Sequence, residues 1–380
     1  MLKPTSRTTS VFNMKVIYTI NANVGGGGIG NTAYYGVKAL EKYGYLEKVI
    51  CRDVKGEEIP KEKVKRIPVL INKSPVYFLV NIYFDLMASL YIDEADAFYG
   101  WNGMQLYSMK KAKRKGAKLI CNASSAHVLT HNRLNQEEFR RFGIKKRGID
   151  PITVKRTLKE YELSDVIVPA SEFVYQSMIK NGVSQNKLKL LPFGVDINRF
   201  KPAHKKEHNK FIAMYVGFVS VLKGVQYLLE AWDMLNLKHA ELRLYGKVRH
   251  DFNRIYKKYS NRKDIKFMGH VSPIEKEYQK ADIFVFPSIQ EGSALVTYEA
   301  MASSLPIITT FNSGSVARDS IDGFIIPIRD PRSIAAKIQY LYDNPKERAK
   351  MGRNARKRAE KFTWEKYGER LIKVFEEVVE

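Results

Sequence analysis

The stretch Pro287-Ser288-Ile289-Gln290-Glu291-Gly292-Ser293-Ala294-Leu295-Val296-Thr297-Tyr298-Glu299-Ala300-Met301-Ala302 decides how the rest of the chain is read. An apolar run of strand length, Ile283–Phe286, leads into it, and a run of helix formers leaves it. A strand that passes through a small-residue loop into a helix is the repeating unit of α/β proteins. Gly292, Ser293 and Ala294 add little bulk at the helix start. Such a start carries N–H groups without helical partners, which suit a phosphate or sugar oxygens. Glu299 falls about one turn inside the helix and Glu291 on the loop before it, so two carboxylates flank one anion-receptive loop. Ionised carboxylates accept hydrogen bonds from neutral hydroxyls. The plainer alternative is structural: Glu299 as a solvated helix residue, Glu291 as a charge favoured by the helix dipole.

Working outward, the same alternation fills the chain. Strand-like runs in the first half are Lys15–Ile20, Lys48–Cys51, Ala97–Tyr99, Lys118–Cys121, Val166–Pro169 and Lys189–Leu191. Helix-period segments such as Asn31–Tyr43 and Gly103–Lys115 separate them. A Pro-containing passage from Leu191 to Pro202 and the polar run His204–Lys210 read as a linker. The pattern then restarts with Phe211–Val216, Glu241–Tyr245, Ile265–Phe267, Ile283–Phe286, Ile307–Thr309 and Phe324–Ile326. The fold class is therefore α/β, as two tandem Rossmann-like doubly wound domains with a cleft between them. The expected division is 1–13 as a disordered extension with Met14 as the start, 14–198 as the first domain, 199–362 as the second, and 363–380 as a terminal helix. In that helix Trp364, Tyr367, Leu371, Val374, Phe375 and Val378 recur at helical spacing, which predicts packing back toward the first domain.

Composition limits the class. Residues 1–13 contain no apolar signal-peptide core, and the two cysteines, Cys51 and Cys121, form no disulfide framework. The most apolar stretch, Pro75–Ile92, is interrupted by Asn81 and Asp85, and reads as a buried or interfacial helix rather than a membrane span. A cytoplasmic protein is the expectation. The net charge of +24 includes the clusters Lys110–Lys115 and Arg140–Arg147. A solvated basic surface explains them as well as an anionic membrane, a nucleic acid or a phosphorylated acceptor does. Nucleic acid is disfavoured, because the clusters lack interleaved aromatic platforms.

Several motifs mislead. Gly25-Gly26-Gly27-Gly28-Ile29-Gly30 follows the first strand and matches the dinucleotide pattern, a weak signal alone. It also approaches a P-loop, but Asn31 stands where the lysine belongs. What survives is a backbone able to approach a ligand closely at a helix start. Asp93-Glu94-Ala95-Asp96 spells a helicase box without the P-loop lysine and reads as accidental. No Asp-x-Asp triplet occurs, and His127/His131 and His204/His208 lack the glutamate of a zinc motif, so no metal and no cofactor are expected.

The Glu-x7-Glu spacing ending in Glu-Ala-Met-Ala, followed by Leu305-Pro306-Ile307-Ile308, resembles glycosyltransferase family 4. The likeness extends to Val216-Gly217 with Lys223-Gly224, Phe193-Gly194-Val195-Asp196, Ala281-Asp282, Ser313-Gly314 and Asp322-Gly323-Phe324, and covers nearly the whole chain. The resemblance implies the GT-B fold and retaining transfer from a nucleotide-sugar donor to a hydroxyl of a glycan or lipid-linked glycan. It gives Glu299 the ribose hydroxyls, Glu291 those of the donor sugar, and the backbone of Gly292, Ser293, Ala294, Leu295 and Val296 the sugar and diphosphate. Lys223 would neutralise the leaving diphosphate beside Gly217. His270 and Val271 would lie near the base, Gly27 and Gly28 near the phosphate, and His127 near the reacting sugar, with His131 close by. Two departures stand out: Phe218 occupies a position where many relatives have arginine, leaving Arg249 or Arg133 as replacements, and Ser304 stands where glycine is usual. The rival readings are a GT-B epimerase or hydrolase acting on sugar nucleotides and, from another class, a basic nucleic-acid-binding protein. Peripheral attachment to the anionic inner membrane face is an added expectation from the basic first half and the Pro75–Ile92 segment.

Overall fold

The computed structural model describes residues 14–69, 77–145, 148–203 and 209–380. The expected extension 1–13, the first residues of the Pro75 segment, Lys146-Arg147 and most of the run His204–Lys210 lie outside them. The first sheet holds β1 (Val16–Thr19), β2 (Leu46–Cys51), β3 (Val64–Arg66), β4 (Ala97–Trp101), β5 (Lys118–Ala123) and β6 (Val166–Pro169) in the order β3-β2-β1-β4-β5-β6. The second holds β7 (Phe211–Val216), β8 (Ala240–Tyr245), β9 (Ile265–Gly269), β10 (Ile283–Phe286), β11 (Ile307–Thr310) and β12 (Gly323–Ile326), in the order β9-β8-β7-β10-β11-β12. The two topologies are the same, and all pairings within both sheets are parallel. Strands covered by helices on both faces need apolar side chains on both, which is why β1 and β10 are continuous buried runs rather than alternating ones. A two-stranded ribbon, Asn23–Val24 with Asp53–Val54, ties the glycine loop to the end of β2.

In each sheet the strand order reverses beside the first strand, and a crevice opens at the carboxyl ends there. The glycine loop leaves β1, and the loop bearing Glu291 leaves β10, so both decisive motifs sit at these reversal points. Helices of the first unit are α1 (Ile29–Lys42), α2 (Tyr77–Ser89), α3 (Leu106–Arg114), α4 (Val128–Arg141) and α5 (Pro151–Leu163). A core of Phe84, Phe98, Met109 and Leu119 lies between the sheet and α2 and α3. On the other face the terminal helix Trp364–Val379 packs on α1. Gly368 lies against Ala39, Tyr35 stacks on Trp364 at 4.4 Å, and Tyr45 donates to Glu376 at 3.0 Å. Cys51 and Cys121 are free and buried.

The strand runs read from sequence recur, with one correction. Lys189–Leu191 is extended and donates from Lys189 N and Leu191 N to Ile167 and Pro169, yet forms no strand. Pro169 has no N–H to return, so the ladder cannot continue. Strand β3 escaped notice because Val64 is its sole apolar residue. The helicase-like tetrad lies away from the crevice: Asp96 accepts from Lys15 N at 2.7 Å just before β1, and Asp93 pairs with Lys48. Among the described residues no helix is long and apolar enough to cross a membrane.

Candidate functional site

The loops at the carboxyl ends of both sheets enclose a cavity of about 690 Å³. Gly28 lines it from the first unit; Gly217, Lys223, His270, Val271, Glu291 and the run Gly292–Val296 line it from the second. Gly27, His127 and Glu299 are not among its lining residues; Glu299 is partly exposed on the same helix as the lining Leu295 and Val296.

The Glu291 loop is held by its own backbone and by the next strand's exit. Glu291 N donates to Asn312 O at 2.8 Å and Ala294 N to Ser313 O at 3.0 Å. Ser293 Oγ bonds Tyr298 and Gly314 O. The helix Leu295–Ala302 then starts with Ala294 as a cap that offers no side-chain acceptor, so its first turn keeps N–H groups for a ligand. Glu291 is ion-paired with Lys223, which ends the short turn Val221–Lys223 after β7, and also accepts from Ser288 Oγ at 3.1 Å. Glu299 shares the helix face of Leu295 and Val296, accepts from the buried Tyr278 hydroxyl at 2.9 Å, and has its carboxyl pushed up to about 7 by burial.

Across the cavity the first unit supplies a second helix start. Gly28 caps α1 at φ 54°, a left-handed conformation that glycine tolerates, and a Cβ on Gly27 or Gly28 would meet open space. Thr32 lines the cavity with its Oγ1 buried and without a hydrogen-bond partner among the described residues. His127 is 2% exposed and caps α4: its Nδ1 accepts from Leu129 N at 3.3 Å, which leaves the proton of the neutral ring on Nε2. Ser124, three residues earlier, does line the cavity. Burial pushes both His127 and His131 down to about 4, and His131 also feels Glu291 and Lys223, which pull in opposite directions.

The structure shows what surrounds Phe218. Its ring is 52% exposed on the cavity wall, and the Arg249 guanidinium lies over it at 5.0 Å. Arg133 is engaged with Glu137 at 2.7 Å. Lys247, which the sequence reading passed over, lines the cavity beside Gly246 at the end of β8. The signal was available, since Lys247 stands just beyond the end of β8, on the crevice side of the sheet.

The two units touch along one side of this cavity. Gly292 packs so closely that a Cβ there would lie 1.7 Å from Ser124 O, and its carbonyl accepts from Ser171 Oγ at 2.5 Å. Further out, the buried Glu138 of α4 accepts from Gln226, Tyr227 and Arg329 of the second unit at 2.7, 2.8 and 2.7 Å. A buried charge of this kind needs all its partners, so the contact sets how the units meet.

Two Rossmann-like units closing on a cavity between strand ends define the GT-B architecture. Residues 196–358 match the family model of glycosyl transferases group 1. The chain is 30% identical over 247 residues to spore coat protein SA of Bacillus subtilis, covering 55% of this chain and 64% of that one. It is 28% identical over 219 residues to the capsular polysaccharide biosynthesis glycosyltransferase CapM of Staphylococcus aureus, covering 52% and 57%. The alignments thus span less than two thirds of the length of these two relatives. Among solved structures it is similar to a glycosyltransferase from Rickettsia africae, with a TM-score of 0.72, 20% identity, and 97% and 99% of the two chains covered. It is also similar to HepE of Anabaena in complex with UDP, with a TM-score of 0.71, 14% identity, and 96% and 100% covered. Residues 196–358 thus match the group 1 glycosyl transferase model, and the chain is similar to a capsular polysaccharide glycosyltransferase over part of its length.

Proposed function

We propose that the chain is a retaining glycosyltransferase that moves a hexose-type sugar from a nucleoside-diphosphate donor to a hydroxyl of a glycan or lipid-linked glycan, without a metal ion. The observation that carries this reading is the convergence, in one cavity, of the Lys223–Glu291 pair, the first turn of Leu295–Ala302 and the opposing Gly28–Thr32 turn. That the similar Anabaena protein binds UDP supports a nucleoside diphosphate. Glu299 accepts from the ribose hydroxyls, and His270 and Val271 flank the base. The diphosphate lies between the two helix starts, taking hydrogen bonds from backbone N–H groups and Thr32 Oγ1. Lys223 leaves Glu291 for the phosphate, and Glu291 turns to the hydroxyls of the sugar. Lys247 and Arg249 supply the charge that Phe218 lacks. His127, which follows the cavity-lining Ser124 by three residues, belongs to the side of the reacting sugar.

In the reaction the bond from the sugar's anomeric carbon to the diphosphate oxygen breaks, and its electron pair leaves with the diphosphate. The acceptor oxygen bonds the same carbon on the same face, and its proton passes to the departing phosphate. Lys223 and the fixed N–H dipoles stabilise the charge as it develops. Domain contact excludes water, which would otherwise compete as acceptor.

Product analysis separates transferase from epimerase and hydrolase. Incubated with a panel of nucleotide sugars, with and without glycan acceptors, the protein is expected to release nucleoside diphosphate quickly only with acceptor present. The new glycosidic bond should keep the donor's anomeric configuration by NMR. Epimerised donor, or release at the same rate without acceptor, would contradict the reading.

A further inference from the structure

On the first unit, α2 turns an apolar stripe outward. Leu79, Tyr83, Leu86 and Leu90 are 49%, 45%, 44% and 65% exposed. Their spacing of four, three and four residues puts them on one side of the helix and its end. Asp85, the one charged residue of α2, points inward, where Arg156 and Ser108 hold it. Exposed large apolar residues scattered singly need no explanation, but a continuous stripe does.

Beside the stripe runs a row of cations. α3 packs on α2 and ends in Lys110, Lys111, Lys113 and Arg114. These four, with Ser89, Tyr107 and Leu163, line a surface pocket of about 580 Å³. None of the four forms a salt bridge among the described residues. Asp93, near the same end, is held by Lys48 and feels Lys115 and Lys111 more weakly. On the neighbouring α5, Lys155 and Lys159 are exposed beside Ile152 and Leu158.

We propose that the α2–α3 face docks on an anionic lipid bilayer, the leucines and tyrosines entering the interface while Lys110, Lys111, Lys113 and Arg114 bind lipid phosphates. Amphipathic helices with an apolar stripe and adjoining cations bind membrane surfaces by these two forces together. A second copy of the chain is a poorer occupant, because a two-fold contact would set the unpaired cations of both copies against each other. A nucleic acid would match the cations and leave the leucines in water. Asn81, one turn into α2, accepts from Asn21 of the loop after β1 at 2.7 Å, which ties the helix to that loop.

The test is co-sedimentation of the full chain with vesicles of phosphatidylcholine alone or with about a third phosphatidylglycerol. The protein is expected to sediment with the anionic vesicles at low salt and to be largely released at about 0.5 M salt. Replacing the four cations by glutamine (Lys110→Gln, Lys111→Gln, Lys113→Gln, Arg114→Gln) should weaken partitioning by roughly a hundredfold. Leu86→Glu with Leu90→Glu should weaken it by at least about tenfold. Unchanged melting temperature and unchanged donor binding show that the variants are folded, and the vesicle readout does not depend on the donor-site assignment. Equal sedimentation with neutral vesicles, variants that partition like the parent, or a parent dimer that Leu86→Glu with Leu90→Glu splits would overturn the proposal.

Discussion

Replacing Lys223 with methionine is expected to lower kcat for sugar transfer by about 10²–10³-fold while changing donor affinity much less. The reason is where charge appears. The bound donor already carries a diphosphate that two helix starts can hold, whereas bond cleavage adds negative charge to the leaving oxygen. An interaction that strengthens as the bond breaks acts on kcat rather than on KM. Lys223 is suitably placed, on a turn at the end of β7, on the cavity wall and within reach of the Glu291 loop. Methionine keeps most of the side chain's length, so loss of charge is isolated from loss of packing. Steady-state kinetics with donor and acceptor varied separately check this. A kcat within about twofold of the parent would remove Lys223 from the reaction.

Gly292→Ala is expected to abolish transfer almost completely while each unit stays folded. The added Cβ would lie 1.7 Å from Ser124 O and 2.4 Å from Ser124 C, both backbone atoms with no rotamer to yield. Within a rigid core such overpacking costs about 1–3 kcal/mol. Here the clash falls between two units joined by a linker, so the easier relief is separation. Separation would move Gly28 and Thr32 away from Lys223 and admit water to the cavity. The expected result is a loss of more than about a hundredfold in kcat/KM, with nucleoside-diphosphate binding by the second unit largely retained. Small-angle scattering should show a more open molecule. Transfer at parental rates would mean that the closed contact is not the reacting state.

The sequence carried much of this because parallel strands are buried on both faces and appear as uninterrupted apolar runs. Ile283–Phe286 and Phe211–Val216 were legible residue for residue for that reason. Strand β3 was not, since an edge strand with one apolar residue has no pattern to show. Within the site, Glu291 and the Gly292–Val296 turn were legible because they follow a strand candidate, where the chain must face the crevice, whereas Lys223 was named through the family resemblance. What the sequence could not show is what depends on two distant segments meeting. Gly292 read as a small residue suited to a ligand, yet a side chain there would run into the backbone of Ser124 in the other unit. Arg249 could be named as a replacement cation, but only the fold lays it over the Phe218 ring. His127 was named a site residue through the family resemblance; the structure buries it and gives its Nδ1 to the start of α4.

The central claim, that the Glu291–Glu299 segment holds a nucleotide sugar, is tested most directly by titrating the donor into the parent and into Glu299→Ala across neutral pH. A nucleotide sugar's diphosphate has no ionisation of its own there, so the response belongs to the protein. The Glu299 carboxyl, raised to about 7 by burial, accepts ribose hydroxyls best when ionised. Falling pH protonates it, so parental affinity should weaken toward about tenfold per unit below pH 7. The variant should bind at least about tenfold more weakly at pH 8 and lose most of that pH dependence. Equal affinity and equal pH response in parent and variant would contradict the account.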